Sequence, residues 1–194
     1  MLQTYGFLGL FRLGIDYIKT KLFTPQCRII RRPVYIRGAK FISWGTGLTS
    51  GVNLRIDVFN VDGQPTPSLQ IGDNCQINDY VHIGVINSVI IGNNVLIASK
   101  VFISDHNHGD FEDDPEISIP PAQRKLTATP TRICDDTWLG EGVMVLPGVT
   151  IGKHSIIGAG AIVTKNIPEY SIAVGNPARV IKQYNKKLNK WVKI

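Results

Sequence analysis

The sequence predicts an all-β fold, a triangular coil of short strands with an extruded loop and a short helix at each end. Three observations predict it. Aliphatic residues recur every six positions, turn formers are abundant, and one long segment interrupts the repeat without ending it.

The repeat runs through Ile71, Ile77 and Ile83, steps eight residues to Ile91, Ile97 and Ile103, and resumes after the interruption at Ile133, Leu139, Val145, Ile151, Ile157 and Val163. An amphipathic helix repeats at 3.6 residues and a half-buried strand at 2, so a period of six reads as a short strand plus a turn. Three such sides closing one coil would stack each inward aliphatic on the residue about eighteen positions later. Gly72, Asn78, Gly84, Gly92, Gly140, Gly152 and Gly158 are expected at the corners, where a positive φ favours Gly and Asn. A β-sandwich would need all twelve rungs to share this phase by coincidence. Ile42, Leu48 and Leu54 carry the phase upstream, with Val61 to Pro67 as a looped irregularity.

Residues 1–40 are therefore read as an N-terminal cap, 41–175 as the coil domain with a loop at 104–132, and 176–194 as a basic helical tail. In the first segment Phe7, Leu8, Leu10, Phe11, Ile15, Ile18 and Leu22 fall at near-helical spacing, with Arg12, Lys19 and Lys21 between them. That helix either covers the open β edge at the end of the coil, the preferred reading, or rests on an anionic membrane surface. The loop holds Pro115, Pro120, Pro121 and Pro130 and the acids Asp110, Glu112, Asp113, Asp114 and Glu116. A structureless loop beyond about 12–15 residues is usually functional, so it is read as covering a substrate. In the tail, Ile181, Tyr184, Leu188 and Trp191 lie at helical intervals among Arg179, Lys182, Lys186, Lys187, Lys190 and Lys193.

Charged residues make up only 19%, against 19 Gly and 11 Pro, which excludes a long coiled coil or a disordered acidic chain. The net charge of +6 favours an anionic partner: a phosphorylated cofactor, a membrane surface or nucleic acid. No basic stretch interleaved with aromatics appears, so nucleic acid is not expected. Cys27, Cys75 and Cys134 are odd in number and share no short spacing, which argues against a disulfide framework and a zinc knuckle. With no spanning run or leader pattern, the protein is expected in the cytoplasm, with the inner membrane surface as a further station.

The stretch from Ile133 to Lys182 contains Trp138-Leu139-Gly140-Glu141-Gly142, Leu146-Pro147-Gly148-Val149-Thr150-Ile151-Gly152, Ile157 through Lys165, and Gly175-Asn176-Pro177-Ala178-Arg179-Val180-Ile181. It resembles the hexapeptide-repeat acetyltransferases, and the similarity runs from about Ile71 to Lys182. The Asn-Asp-Tyr-Val-His stretch from Asn78, the Ser-Asp-His-Asn-His run from Ser104 and the N-terminal extension are more specifically similar to the O-antigen and capsule O-acetyltransferases. The resemblance implies a left-handed parallel β-helix, a homotrimer, and acetyl-CoA bound in a groove between subunits, with a saccharide acceptor and no metal. Spacing alone leaves a right-handed coil or a monomer open.

In the maltose and galactoside branch the catalytic His stands seventeen positions after the Ile of an Ile-Gly-x-Asn-Val repeat. Counted from Ile91, this falls on His108. A neutral imidazole there takes the proton of a sugar hydroxyl as the oxygen attacks the thioester, an effect worth about 10²–10⁴ in rate. His106, two residues earlier and on the same side of an extended strand, is the second candidate, otherwise helping to bind the acceptor. Asn78 and His82 are read as acceptor contacts, Asn78 equally as a corner residue. An acid of the galactoside branch falls here at Ile86, a departure at the acceptor side. The resemblance places Trp138, Gly140, Glu141, Ala159, Thr164, Lys165, Arg179 and Lys182 along the acetyl-CoA groove, the last basic residues toward its phosphates.

The sequence is compatible with other readings. Amino-group acetylation would use the same base and cofactor. A zinc enzyme resembling the γ-class carbonic anhydrases needs three placed His ligands from His82, His106, His108 and His154, and a noncatalytic scaffold would leave the His-bearing repeat unexplained.

Overall fold

The structure, a computed structural model, describes residues 2–110 and 116–194. From Val34 onward the chain visits three parallel sheets in rotation. The first holds Thr49–Ser50, Gln76–Ile77, Leu96–Ile97, Trp138–Leu139, Ile156–Ile157 and Ser171–Val174. The second holds Val34–Arg37, Leu54–Val58, His82–Val85, Phe102–Ser104, Met144–Val145 and Ile162–Val163. The third holds Ile42–Trp44, Ser68–Ile71, Ser88–Ile91, Thr131–Ile133 and Thr150–Ile151.

Register follows the repeat. Leu139 pairs with Ile157, Ile133 with Ile151 and Val145 with Val163, the eighteen-residue offset read from the sequence. All twelve repeat residues are buried, and they form one continuous core. Each such aliphatic removed from water contributes about 1.5–3 kcal/mol, which is how two-residue strands hold together.

From Ile71 to the loop the offset is twenty, as in Ile77 with Ile97 and Ile83 with Ile103. The eight-residue step in the sequence is this widened corner at Ile86 and Asn87. The backbone donors that it frees are met from the next coil. The fully buried Asp105 carboxylate accepts N–H bonds from Ile86 (3.0 Å), Asn87 (2.8 Å) and Ser88 (2.7 Å).

The corner glycines serve another purpose than expected. Positive φ falls instead at Asn53, Asn74, Asn94, Asp136 and His154, and at Gly142, Gly148 and Gly160, while neither Asn78 nor the six expected glycines has it. Those glycines sit where successive coils touch. A Cβ on Gly140 would lie 2.6 Å from the Ala159 nitrogen, and one on Gly92 would lie 2.7 Å from the Asp135 nitrogen.

The N-terminal helix spans Leu2–Phe23, with a break at Gly6 (φ 63°). It lies against the first-sheet strand Ile29–Ile30 through its polar side rather than its apolar stripe. The Thr20 hydroxyl accepts the Ile30 N–H at 2.8 Å, and Asp16 accepts the Arg32 N–H at 3.2 Å. Phe7, Leu8, Leu22 and Phe23 remain 71–78% exposed.

The tail is not a helix. Arg179–Asn185 turns back antiparallel onto Ser171–Val174, and Lys190–Lys193 pairs with it in a hairpin. Tyr184 and Trp191, seven apart in sequence, are cross-strand partners, so an interval that fits a helix also fits a hairpin closed by Asn185. The loop likewise contains a hairpin, in which His106–His108 pairs with Leu126–Ala128. Glu112, Asp113, Asp114 and Pro115 lie outside the described residues.

Candidate active site

The second sheet presents its outer face through alternate residues. Its strands align Tyr35, Arg55, His82 and Phe102 in one row and Arg37, Asp57, Gly84 and Ser104 in the next. Chain reversal after Ser104 then folds His106 back over this face. The imidazole stands over Gly84, where a Cβ would come within 3.2 Å of its Cε1, so the glycine makes room for the ring.

His106 is held from below. Its Nδ1 lies 2.9 Å from the buried Asp105 carboxylate and 3.2 Å from the Ser104 hydroxyl, leaving Nε2 for other partners. His108 lies two residues further along the same strand, opposite Leu126. Its side chain is exposed, and no side-chain hydrogen bond holds its ring among the described residues.

His82 lies on the same face, half-buried against Phe102, with Nε2 3.3 Å from Asp57. Burial first, and then the Arg55 charge, push its imidazole below the ordinary histidine value, outweighing the pull of the Asp57 carboxylate. Burial alone would raise the Asp57 carboxyl, but hydrogen bonds from Arg37 and Arg55 hold it below the usual carboxylate value. Asn78 sits at the opposite end of this sheet, at the corner leading in from Gln76–Ile77, and accepts a bond from the Gln76 amide at 3.0 Å. No contact among the described residues joins it to either His of the loop.

The residues expected along the acetyl-CoA groove divide into two groups. Trp138, Ile156, Ile172 and Lys182 align across the first sheet, so Trp138 and Lys182 lie about three strand spacings apart, roughly 14 Å. Gly140, Glu141 and Ala159 continue this edge at the corner into the second sheet, and Arg179 lies opposite Val174. Thr164 and Lys165 instead follow Ile162–Val163 at the far corner, the one from which the His-bearing loop emerges. One chain thus carries the two histidines on one corner and Trp138 on another. Among the described residues, no group of three His, Cys, Asp or Glu side chains is placed to hold a metal ion.

The family model described as bacterial transferase hexapeptide (six repeats) matches residues 130–165. A putative lipopolysaccharide biosynthesis O-acetyl transferase of Escherichia coli K12, WbbJ, is 46% identical over 98% of this chain and 96% of its own length. The chain belongs to the hexapeptide-repeat acetyltransferases. Among solved structures of this family, a maltose O-acetyltransferase from Clostridium difficile superposes with a TM-score of 0.62 at 31% identity, over 76% of this chain and 73% of that one. A galactoside acetyltransferase in complex with coenzyme A gives 0.52 at 31% identity, over 72% and 67%. As a hexapeptide-repeat acetyltransferase the protein is an acyltransferase, and Trp138, Gly140, Glu141, Ala159, Thr164 and Lys165 fall within the residues that the family model matches.

Proposed function

We propose that this acetyltransferase moves the acetyl group of acetyl-CoA to a hydroxyl of a sugar in a surface polysaccharide, such as O-antigen or capsule, or in its precursor. One observation carries the reading: a solvent-open imidazole, His108, at the root of the extruded loop beside the half-buried His106. His108 removes the hydroxyl proton as the oxygen attacks the thioester carbonyl. The tetrahedral oxyanion collapses, the C–S bond breaks, and the imidazolium returns the proton to the departing thiolate. His106, fixed by Asp105, orients the acceptor together with His82. The backbone N–H groups near Glu141 stabilise the oxyanion, Trp138 packs on the pantetheine end, and Lys165, Arg179 and Lys182 meet the phosphates of CoA.

The coil is read as a left-handed β-helix, and the division of these groups between two corners supports its assembly as a homotrimer, in which one subunit's histidines face another's Trp138 edge. The exposed apolar side of the N-terminal helix, bordered by Arg12 and Lys19, supports contact with an anionic membrane surface, where a lipid-linked acceptor would be held. No helix among the described residues is long and apolar enough to cross a membrane. A second reading, His106 as the base, is favoured by its Asp105 partner, because a carboxylate on Nδ1 fixes the tautomer with Nε2 free. Thiol release from acetyl-CoA with candidate saccharides tests the reading: turnover is expected with a hydroxyl acceptor, and its absence with every hydroxyl or amino sugar would overturn it.

A further inference from the structure

The face that carries His82 and His106 continues, across the next two strands, into a feature that acetyl transfer from CoA does not use. Arg37 and Arg55 converge on Asp57, whose side chain is only 5% exposed. Each guanidinium spends its Nε on that carboxylate, Arg37 at 2.5 Å and Arg55 at 2.6 Å. Their side chains are 59% and 50% exposed, so the terminal nitrogens are left facing outward. Arg37 is further steadied over the Phe59 ring at 5.0 Å. The result is two pre-oriented forks around one buried counter-charge, a net positive point in a groove of about 650 Å³ lined by Val34, Tyr35, Ile36, Arg37, Arg55 and Asp57. Here the donors that match a phosphate in pairs remain free.

Register fixes how this groove relates to the histidines. Arg37, Asp57 and Gly84 occupy one row on successive strands, and His106 stands over Gly84. The separation is about two strand spacings, roughly 9–10 Å at the backbone. His82 shares the strand of Gly84 and stands directly beside Arg55 in the neighbouring row. An acceptor whose sugar lies over His82 and offers a hydroxyl to the histidine pair would therefore extend its anomeric substituent onto the two arginines.

Resting on the proposed sugar acetylation, we infer that the acceptor is a glycosyl phosphate or diphosphate whose phosphate is held by Arg37 and Arg55. The shared chemistry is the phosphate ester at the anomeric carbon. A nucleotide and a polyprenyl carrier both present it.

The first test needs no turnover. With the CoA site saturated by coenzyme A, inorganic pyrophosphate titrated into the full-length protein by calorimetry is expected to bind once per chain. Binding should weaken at least tenfold in Arg37→Gln and in Arg55→Gln, each of which leaves one arginine on Asp57 and keeps the buried carboxylate paired. No binding, or equal binding by both folded variants, overturns the inference and leaves sugar acetylation standing. The second test compares KM for a free sugar, its uridine diphosphate form and its polyprenyl diphosphate form on the wild-type protein. At least tenfold lower KM for either phosphorylated form supports the inference and names the carrier, while equal or better use of the free sugar refutes it. Lack of turnover with all three, beside normal pyrophosphate binding, would count against the acetylation reading alone.

Discussion

Replacing Asp105 by Asn separates what holds this site from what reacts in it. The carboxylate is fully buried and takes four donors: the Ile86, Asn87 and Ser88 N–H groups and His106 Nδ1. An amide can keep its oxygen toward Asn87 and Ser88, the two shortest of these bonds. Its NH₂ then faces the Ile86 N–H, which keeps only its longer 3.3 Å contact with the retained oxygen, a weakening of a buried donor's bond that costs about 1–3 kcal/mol. The two retained bonds lose their charge assistance, about 1 kcal/mol each. The sum, about 3–5 kcal/mol, is large against a typical domain stability of about 5–15 kcal/mol. Urea unfolding at fixed protomer concentration measures it. The same NH₂ forces His106 Nδ1 to accept, which moves the ring proton to Nε2. With His108 as base, this raises acceptor KM and changes kcat of the folded variant by less than about tenfold. A stability change below about 1 kcal/mol would refute the account of the widened corner. A kcat loss of about 10⁴ in folded protein, the size seen when a tautomer is reversed in a serine-protease triad, would transfer the base to His106.

Further outcomes follow from the same structure. Leu139→Ala removes a fully buried rung paired with Ile97 and Ile157 and is expected to cost about 2–5 kcal/mol in urea unfolding. His82 is expected to titrate by NMR below 6.5, and Arg55→Gln should raise its midpoint. Because the folded state holds this proton less tightly than the unfolded chain, the stability linked to His82 is complete above about pH 6.5 and declines as pH falls toward the folded value. Phe7→Glu with Phe11→Glu should abolish sedimentation with anionic vesicles and leave the unfolding midpoint nearly unchanged, since both side chains are exposed. Undiminished sedimentation would remove the membrane contact.

The rungs were legible in the sequence because every sixth position answers to one demand, burial, and only aliphatics meet it. The eight-residue step was visible as a change of phase, but its cause was not. Asp105 lies nineteen residues from Ile86, and nothing local marks it as the group that satisfies that corner. The corner glycines were identified for the wrong reason, since the repeat shows where Gly recurs but not whether φ or the neighbouring coil requires it. In the tail, Tyr184 and Trp191 satisfy both a helical interval and a hairpin pairing, and only the edge offered by Ser171–Val174 decides between them. His82, His106 and His108 were all singled out as candidates from the sequence. The Arg37–Asp57–Arg55 group was not, because Arg37 joins the Arg55 and Asp57 pair only through the twenty-residue register of the early coils.

The most direct test of the central claim is thiol release from acetyl-CoA in the presence of acceptor, measured for His108→Ala and His106→Ala against the wild-type protein. The account predicts that His108→Ala lowers kcat by at least about 10² while coenzyme A still binds, and that His106→Ala acts mainly on acceptor KM. Near wild-type turnover by folded His108→Ala, with turnover abolished in His106→Ala, would contradict it.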